Sequence, residues 1–270
     1  NIGIVYQAQG DLDKALEYHN SALDIEKRKA PDSLDLAGTM GNIGNVYQAK
    51  GDLDKALEYY NSALDIEKRK APDSLSLAGT MNNIGVVYKD QGDLDKALEY
   101  HNSALDIKKR KAPNSLSLAS TMGNIGMVYQ DQGDLDKALE YHNSALDIKK
   151  RKAPDSLDLA ITLGNIGNVY QAKGDLDKAL EYHNSALDIE TRKAPDSLDL
   201  ASTMGNIGNI YGEKGDLDKA LEYYSSTLNI QKRKAPDSLS LASTMGNIGV
   251  VYQDQGDLDK ALEYHNSALD

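Results

Sequence analysis

The chain has 270 residues, with 30 Lys and Arg against 42 Asp and Glu, a net charge of −12. It holds no Cys, Trp or Phe, which excludes disulfides, thiolate catalysis, Fe–S clusters and Cys-based zinc sites. The acidic balance argues against nucleic acid or an anionic membrane surface as a partner, and no apolar run approaches the ~18 residues of a membrane span.

Internal repetition dominates the sequence. The string Gly-Asp-Leu-Asp-Lys-Ala-Leu-Glu-Tyr starts at Gly10, Gly51, Gly92, Gly133, Gly174, Gly215 and Gly256, each start 41 residues after the last. Pro31, Pro72, Pro113, Pro154, Pro195 and Pro236 keep the same step. Residues 1–270 therefore read as one array of about six and a half units, in which each unit packs on its neighbours.

Residues 32–72 serve as the type unit. Leu36, Met40, Ile43, Gly44 and Tyr47 recur at helical spacing and predict a first helix. Gly51 breaks it. Asp52 stands where an N-cap belongs. Leu53, Ala56, Leu57, Tyr60, Ala63 and Leu64 then mark the stripe of a second helix. Lys68, Arg69 and Lys70 suit the negative end of its dipole, and Ala71-Pro72 stops it. The absence of sustained period-2 alternation excludes strands. The predicted class is all-α, a pair of antiparallel helices per unit. Gly38, Gly41 and Gly44 weaken the first helix by about 1 kcal/mol each. A lone pair is therefore marginal, and stacking must supply its stability. Gly44 is expected to admit a closely packed partner; Gly41 has no evident packing use.

The run Met40-x-x-Ile43-Gly44-x-x-Tyr47, followed by Gly51, Leu53, Ala56, Tyr60 and Ala63, resembles the tetratricopeptide repeat. Met40 stands in place of the family's Trp, and Leu53 in place of its usual aromatic. The 41-residue period is similar to the longer repeats of kinesin light chain, as is Ser-Leu-Asp-Leu-Ala at 33–37. The resemblance implies a right-handed superhelical solenoid whose first helices line a concave groove. In the type unit Asn42, Asn45, Gln48 and Ala49 would face that groove. The phase of Asn45 is filled by Ile4, Asn45, Val86, Met127, Asn168, Asn209 and Val250, varying between constant flanks. Two readings stand: a partner-binding stripe of apolar and amide character, or drift at an exposed site.

Other features read as structural. His19, His101, His142, His183 and His265 share one phase, where Tyr60 and Tyr224 replace them. A slot that accepts His or Tyr is a packing slot with a polar tip, and one His per unit does not converge on a metal. Asp11 and Asp13, with their copies, lack the further oxygens of a calcium loop and read as capping and dipole-matching acids. The basic tracts, such as 108–111 and 149–152, lie at helix ends where cations are favourable, or line one rim of the solenoid. Gly41-Asn42-Ile43-Gly44 lies inside a helical stripe, not in a phosphate-binding loop.

No constellation of nucleophile, base and orienting group supports an enzyme, and no cofactor or metal is called for. The expected function is a non-enzymatic scaffold holding protein or peptide partners in the concave groove, with no nucleic acid or membrane partner. The alternative is a structural fibre, in which near-identical units continue the solenoid or copies stack head to tail. The chain runs from inside a first helix to inside a second without polar capping units, so it is expected to be a window of a longer array. Localisation follows function: cytoplasmic for a kinesin-light-chain-like scaffold, extracellular for a fibre.

Overall fold

The computed structural model describes residues 2–269. Its described residues form helices and connecting turns with no strand. They fall into two compact units, Asn1–Asp134 and Leu135–Asp270.

The first unit contains α1 (Ile2–Ala8), α2 (Leu12–Lys29), α3 (Leu34–Ala49), α4 (Leu53–Lys70), α5 (Leu75–Asp90), α6 (Leu94–Lys111) and α7 (Leu116–Asp131). The second contains α8 (Leu135–Lys152), α9 (Leu157–Ala172), α10 (Leu176–Lys193), α11 (Leu198–Glu213), α12 (Leu217–Lys234), α13 (Leu239–Asp254) and α14 (Leu258–Ser267). Within each unit every helix packs on the next in sequence, and first helices lie side by side: α3 on α5 on α7, and α9 on α11 on α13. No described helix is long and apolar enough to cross a membrane.

The boundaries follow local chemistry. Gly51 has φ +77°, a left-handed turn that glycine adopts without Cβ strain. Asp52 then caps α4, its carboxylate accepting from the Lys55 backbone N–H. The Lys55 ammonium returns to Asp52 at 2.7 Å and lies 5.1 Å from the Tyr47 ring centroid. Tyr47 in turn stacks on Tyr59 at 5.6 Å. The hydrogen bonds from Lys55, side chain first and backbone second, hold the Asp52 carboxyl below its ordinary value. The first helices from α3 to α13 are capped by the serine two residues after proline: the Leu36 N–H donates to Ser33 Oγ, and the Leu77 N–H to Ser74 Oγ.

Stacking supplies the core. In the first unit Leu64 of α4, Leu77, Ile84 and Val87 of α5, and Ala104 and Ile107 of α6 form one buried cluster across two repeats. Burying each large apolar side chain contributes about 1.5–3 kcal/mol, enough to offset the glycine-weakened first helix. In the second unit Leu146 of α8 and Leu159, Leu163 and Ile166 of α9 meet Ala186 and Ile189 of α10 in the same way.

Polar contacts also join successive repeats. Asp13, read from sequence as a dipole-matching acid, reaches Lys50 at 2.5 Å; Asp177 reaches Lys214 at 2.5 Å. Asp54 and Asp218 accept instead from Gln91 and Gln255. The basic tracts, read as dipole-matching cations, do more: Arg69 and Lys70 both hold Asp32, and Arg233 and Lys234 both hold Asp196. Exposed pairs of this kind add little to stability.

Candidate functional site

The residues proposed from sequence share one phase on the first helices. Ile4 and Val250 are exposed, at 47% and 49%. Asn45, Val86, Met127, Asn168 and Asn209 are half-buried. Among the flanking positions, Asn42 and Gln48 are half-buried and Ala49 is exposed.

Side-by-side packing of first helices turns this phase into amide ladders. Asn45 Oδ1 accepts from Asn83 Nδ2 at 3.1 Å, linking α3 to α5. In the second unit Asn168 Oδ1 accepts from Asn206 Nδ2 at 3.3 Å, and Asn209 Oδ1 from Asn247 Nδ2 at 3.2 Å. Each amide so engaged keeps its own NH2 for a further acceptor. Asn209 and Val250 meet at a cavity of about 320 Å³ that also takes in Gln171, Glu213, Tyr224 and Asp254.

The His and Tyr slot lies directly beneath. A Cβ on Gly44 would stand 2.7 Å from the Tyr60 ring, and one on Gly85 2.7 Å from His101. The glycine thus exists to let the ring in, as expected. Tyr60 donates to Asn45 Oδ1 at 2.6 Å, with Gln48 Oε1 at 3.0 Å as a second acceptor. Tyr224 donates to Asn209 Oδ1 at 2.7 Å. Burial pushes the Tyr224 hydroxyl up to about 12. It pushes His101, His142 and His183 down to about 4; the Lys108 charge adds to the shift at His101 and Lys149 to that at His142.

One further row went unread in the sequence. Near the ends of α4, α6, α8, α10 and α12, the phase of Glu67, Lys108, Lys149, Glu190 and Gln231 is buried beside a first helix of the next repeat. Lys108 Nζ donates to Thr121 Oγ1 at 2.7 Å and to the Ser117 carbonyl at 3.3 Å. Lys149 Nζ donates to Asp158 Oδ1 at 2.8 Å and Thr162 Oγ1 at 2.8 Å. Glu67 takes the Ser76 hydroxyl. Burial pushes the Lys108 ammonium down to about 8. The signal available in sequence was a position that changes the sign of its charge between near-identical repeats.

The tetratricopeptide repeat profile matches residues 1–69, 35–110, 76–151, 117–192, 158–233 and 199–270. Among solved structures, the apo form of RapI is similar with a TM-score of 0.76 at 18% identity, over 99% of this chain and 93% of that one. A chain of the APC/C hetero-tetramer Cut9-Hcn1 is similar with a TM-score of 0.75 at 16% identity, over 99% of this chain and 45% of that one. Nearly identical TPR-like repeats from Podosopora anserina, assigned to a kinesin light chain, are similar with a TM-score of 0.63 at 16% identity, over 75% of this chain and 98% of that one. Comparison with curated proteins yields no match. With its repeats matched end to end, paired helices and the kinesin-light-chain-like period, the chain belongs to the tetratricopeptide repeat family.

Proposed function

We propose that the chain is a non-catalytic scaffold that holds protein partners along the face formed by its first helices. The observation that carries this reading is the cavity of about 320 Å³ at which Asn209 and Val250 meet. It combines the apolar Val250 with three amides, Gln171, Asn209 and Asn247, and two acids, a mixture that suits a peptide with both apolar and polar side chains. The hetero-tetrameric assembly of the Cut9-Hcn1 neighbour supports a protein as the partner class. The stripe Ile4, Asn45, Val86, Met127, Asn168, Asn209 and Val250 is where contacts are expected.

A photo-crosslinker placed at Val250 tests the reading against one placed at Glu181 on the exposed side of α10. Partner crosslinks from Val250 and not from Glu181 are expected. Equal yields from both sites would overturn the assignment of the face.

A further inference from the structure

The repeats share one backbone plan, so a difference between equivalent slots stands out as a local property. In the first unit the slot between α5, α6 and α7 is filled by the chain itself. Asn82 projects into it, and its Oδ1 takes His101 Nδ1 at 3.2 Å, the Thr121 hydroxyl at 3.1 Å and Asn124 Nδ2 at 3.2 Å. Lys108 completes the network through Thr121.

In the second unit the equivalent slot lies between α9, α10 and α11. Here Gly164 stands in the phase of Asn82, and Glu190 in the phase of Lys108. A Cβ on Gly164 would meet nothing within 4 Å. What remains is a cavity of about 130 Å³, lined by Gly164, Asn165, Asn168, Glu190, Asp199 and Thr203 among others. Glu190 is 3% exposed, and its Oε2 has no hydrogen-bond partner. Asp199, nine residues on, holds the phase that in the preceding repeat belongs to Asp158, the carboxylate that binds Lys149. The paired positions carry +1 at Lys108 and Ser117, zero at Lys149 and Asp158, and −2 at Glu190 and Asp199. Glu26 with Asp35 also carries −2, but Glu26 is only half-buried.

We propose that the cavity between α9, α10 and α11 receives the primary ammonium of a lysine side chain from a protein partner, held between Glu190 and Asp199. The chain already shows the chemistry: Lys149 Nζ is gripped by one carboxylate and one threonine hydroxyl, and Asp199 and Thr203 repeat that pair. Glu190 replaces the internal cation with a second acceptor, which leaves the place of the ammonium open to a cation from outside. Burial, with the Asp199 charge adding to it, raises the Glu190 carboxyl above its ordinary value, while a hydrogen bond from Thr203 lowers it. An arriving ammonium offsets the cost of the buried charge and the repulsion from Asp199 by its attraction to both carboxylates. The volume suits the end of an alkyl chain and not a fused ring. Asn168 lines the cavity, so this inference rests on the partner-binding reading of the first-helix face and names the chemistry it selects.

The test titrates n-butylammonium chloride, the lysine side chain without its backbone, into the 270-residue chain and follows backbone amide resonances of Gly164, Asn165 and Thr203. Potassium chloride, tetramethylammonium chloride and glycinamide, which mimics a peptide N-terminus, run in parallel. Saturable shifts with n-butylammonium at lower concentration than with any of these are expected. Glu190→Gln, which copies Gln231, should weaken the response about tenfold or more. Gly164→Asn, which copies Asn82, should abolish it by filling the space. Both variants place residues the fold already carries at those phases, so loss of folding is not expected. No shift would overturn the proposal, as would an equal response to potassium or tetramethylammonium, a stronger response to glycinamide, or an unchanged response in Glu190→Gln. The titration needs no partner, so its failure is distinct from a failure of the crosslinking at Val250.

Discussion

Tyr224 donates its hydroxyl hydrogen to Asn209 Oδ1 at 2.7 Å, one residue buried and the other on the face where partners are expected. Tyr60 repeats the bond with Asn45 at 2.6 Å. Where the ring is the buried His101 or the half-buried His265, the outer residue is Val86 or Val250. Variation along the stripe is therefore partly a response to the ring beneath it, since a buried phenol needs an acceptor. His183 lies under Asn168, so an acceptor is present there without a phenol.

This coupling predicts the cost of breaking it. Asn209→Val should destabilise by about 1–3 kcal/mol, the penalty of a buried hydroxyl left without a partner. The double change Asn209→Val with Tyr224→His should recover most of that, because it recreates the Val86 and His101 pairing. Urea denaturation of the two variants measures both, fitted repeat by repeat because solenoids depart from two-state behaviour.

Exchange in the other direction should be asymmetric. His183→Tyr should be tolerated, since Asn168 offers the new hydroxyl an acceptor. His101→Tyr has Val86 in that place and should cost about 1–3 kcal/mol. Val86→Asn added to His101→Tyr should restore stability. Thermal melts of the three variants decide the matter; equal losses for both single changes would refute the coupling.

Acid should unfold the chain through the same slot. His101, His142 and His183 sit near 4 in the folded chain against about 6.5 unfolded. Between those values the unfolded state binds more protons, so stability rises with pH across the window. The contribution of the neutral rings is full above about 6.5 and lost as pH falls towards 4, at about 3 kcal/mol each at most. Denaturation midpoints measured from pH 7 to pH 4 check this. His183→Tyr should flatten the dependence by the share of one histidine.

The two glycines of α3 should respond oppositely. Gly44→Ala drives a methyl to 2.7 Å from the Tyr60 ring and should destabilise by about 1–3 kcal/mol or more. A Cβ at Gly41 meets no atom within 4 Å, so Gly41→Ala should stabilise by up to about 1 kcal/mol. Nothing in the structure explains why glycine stands at Gly41. Circular-dichroism melts of the two variants give the comparison.

Much of the fold was legible before any coordinates. Repeats 41 residues apart, Gly51 before Asp52 and Ala71 before Pro72 dictate helix length and ends, because turns and caps are local chemistry acting within a few residues. The close approach at Gly44 followed from its place on the apolar stripe. The uses of Asp13 and Arg69 did not: their partners Lys50 and Asp32 lie 37 residues away, and only packing of one repeat on the next brings them together. The same holds for Glu190. Its charge could be read from the chain, but whether a carboxylate there meets an ammonium, a hydroxyl or an open cavity depends on residues of three helices. Backbone periodicity is decided by neighbours in sequence, whereas burial and pairing of a charge are decided by neighbours in space.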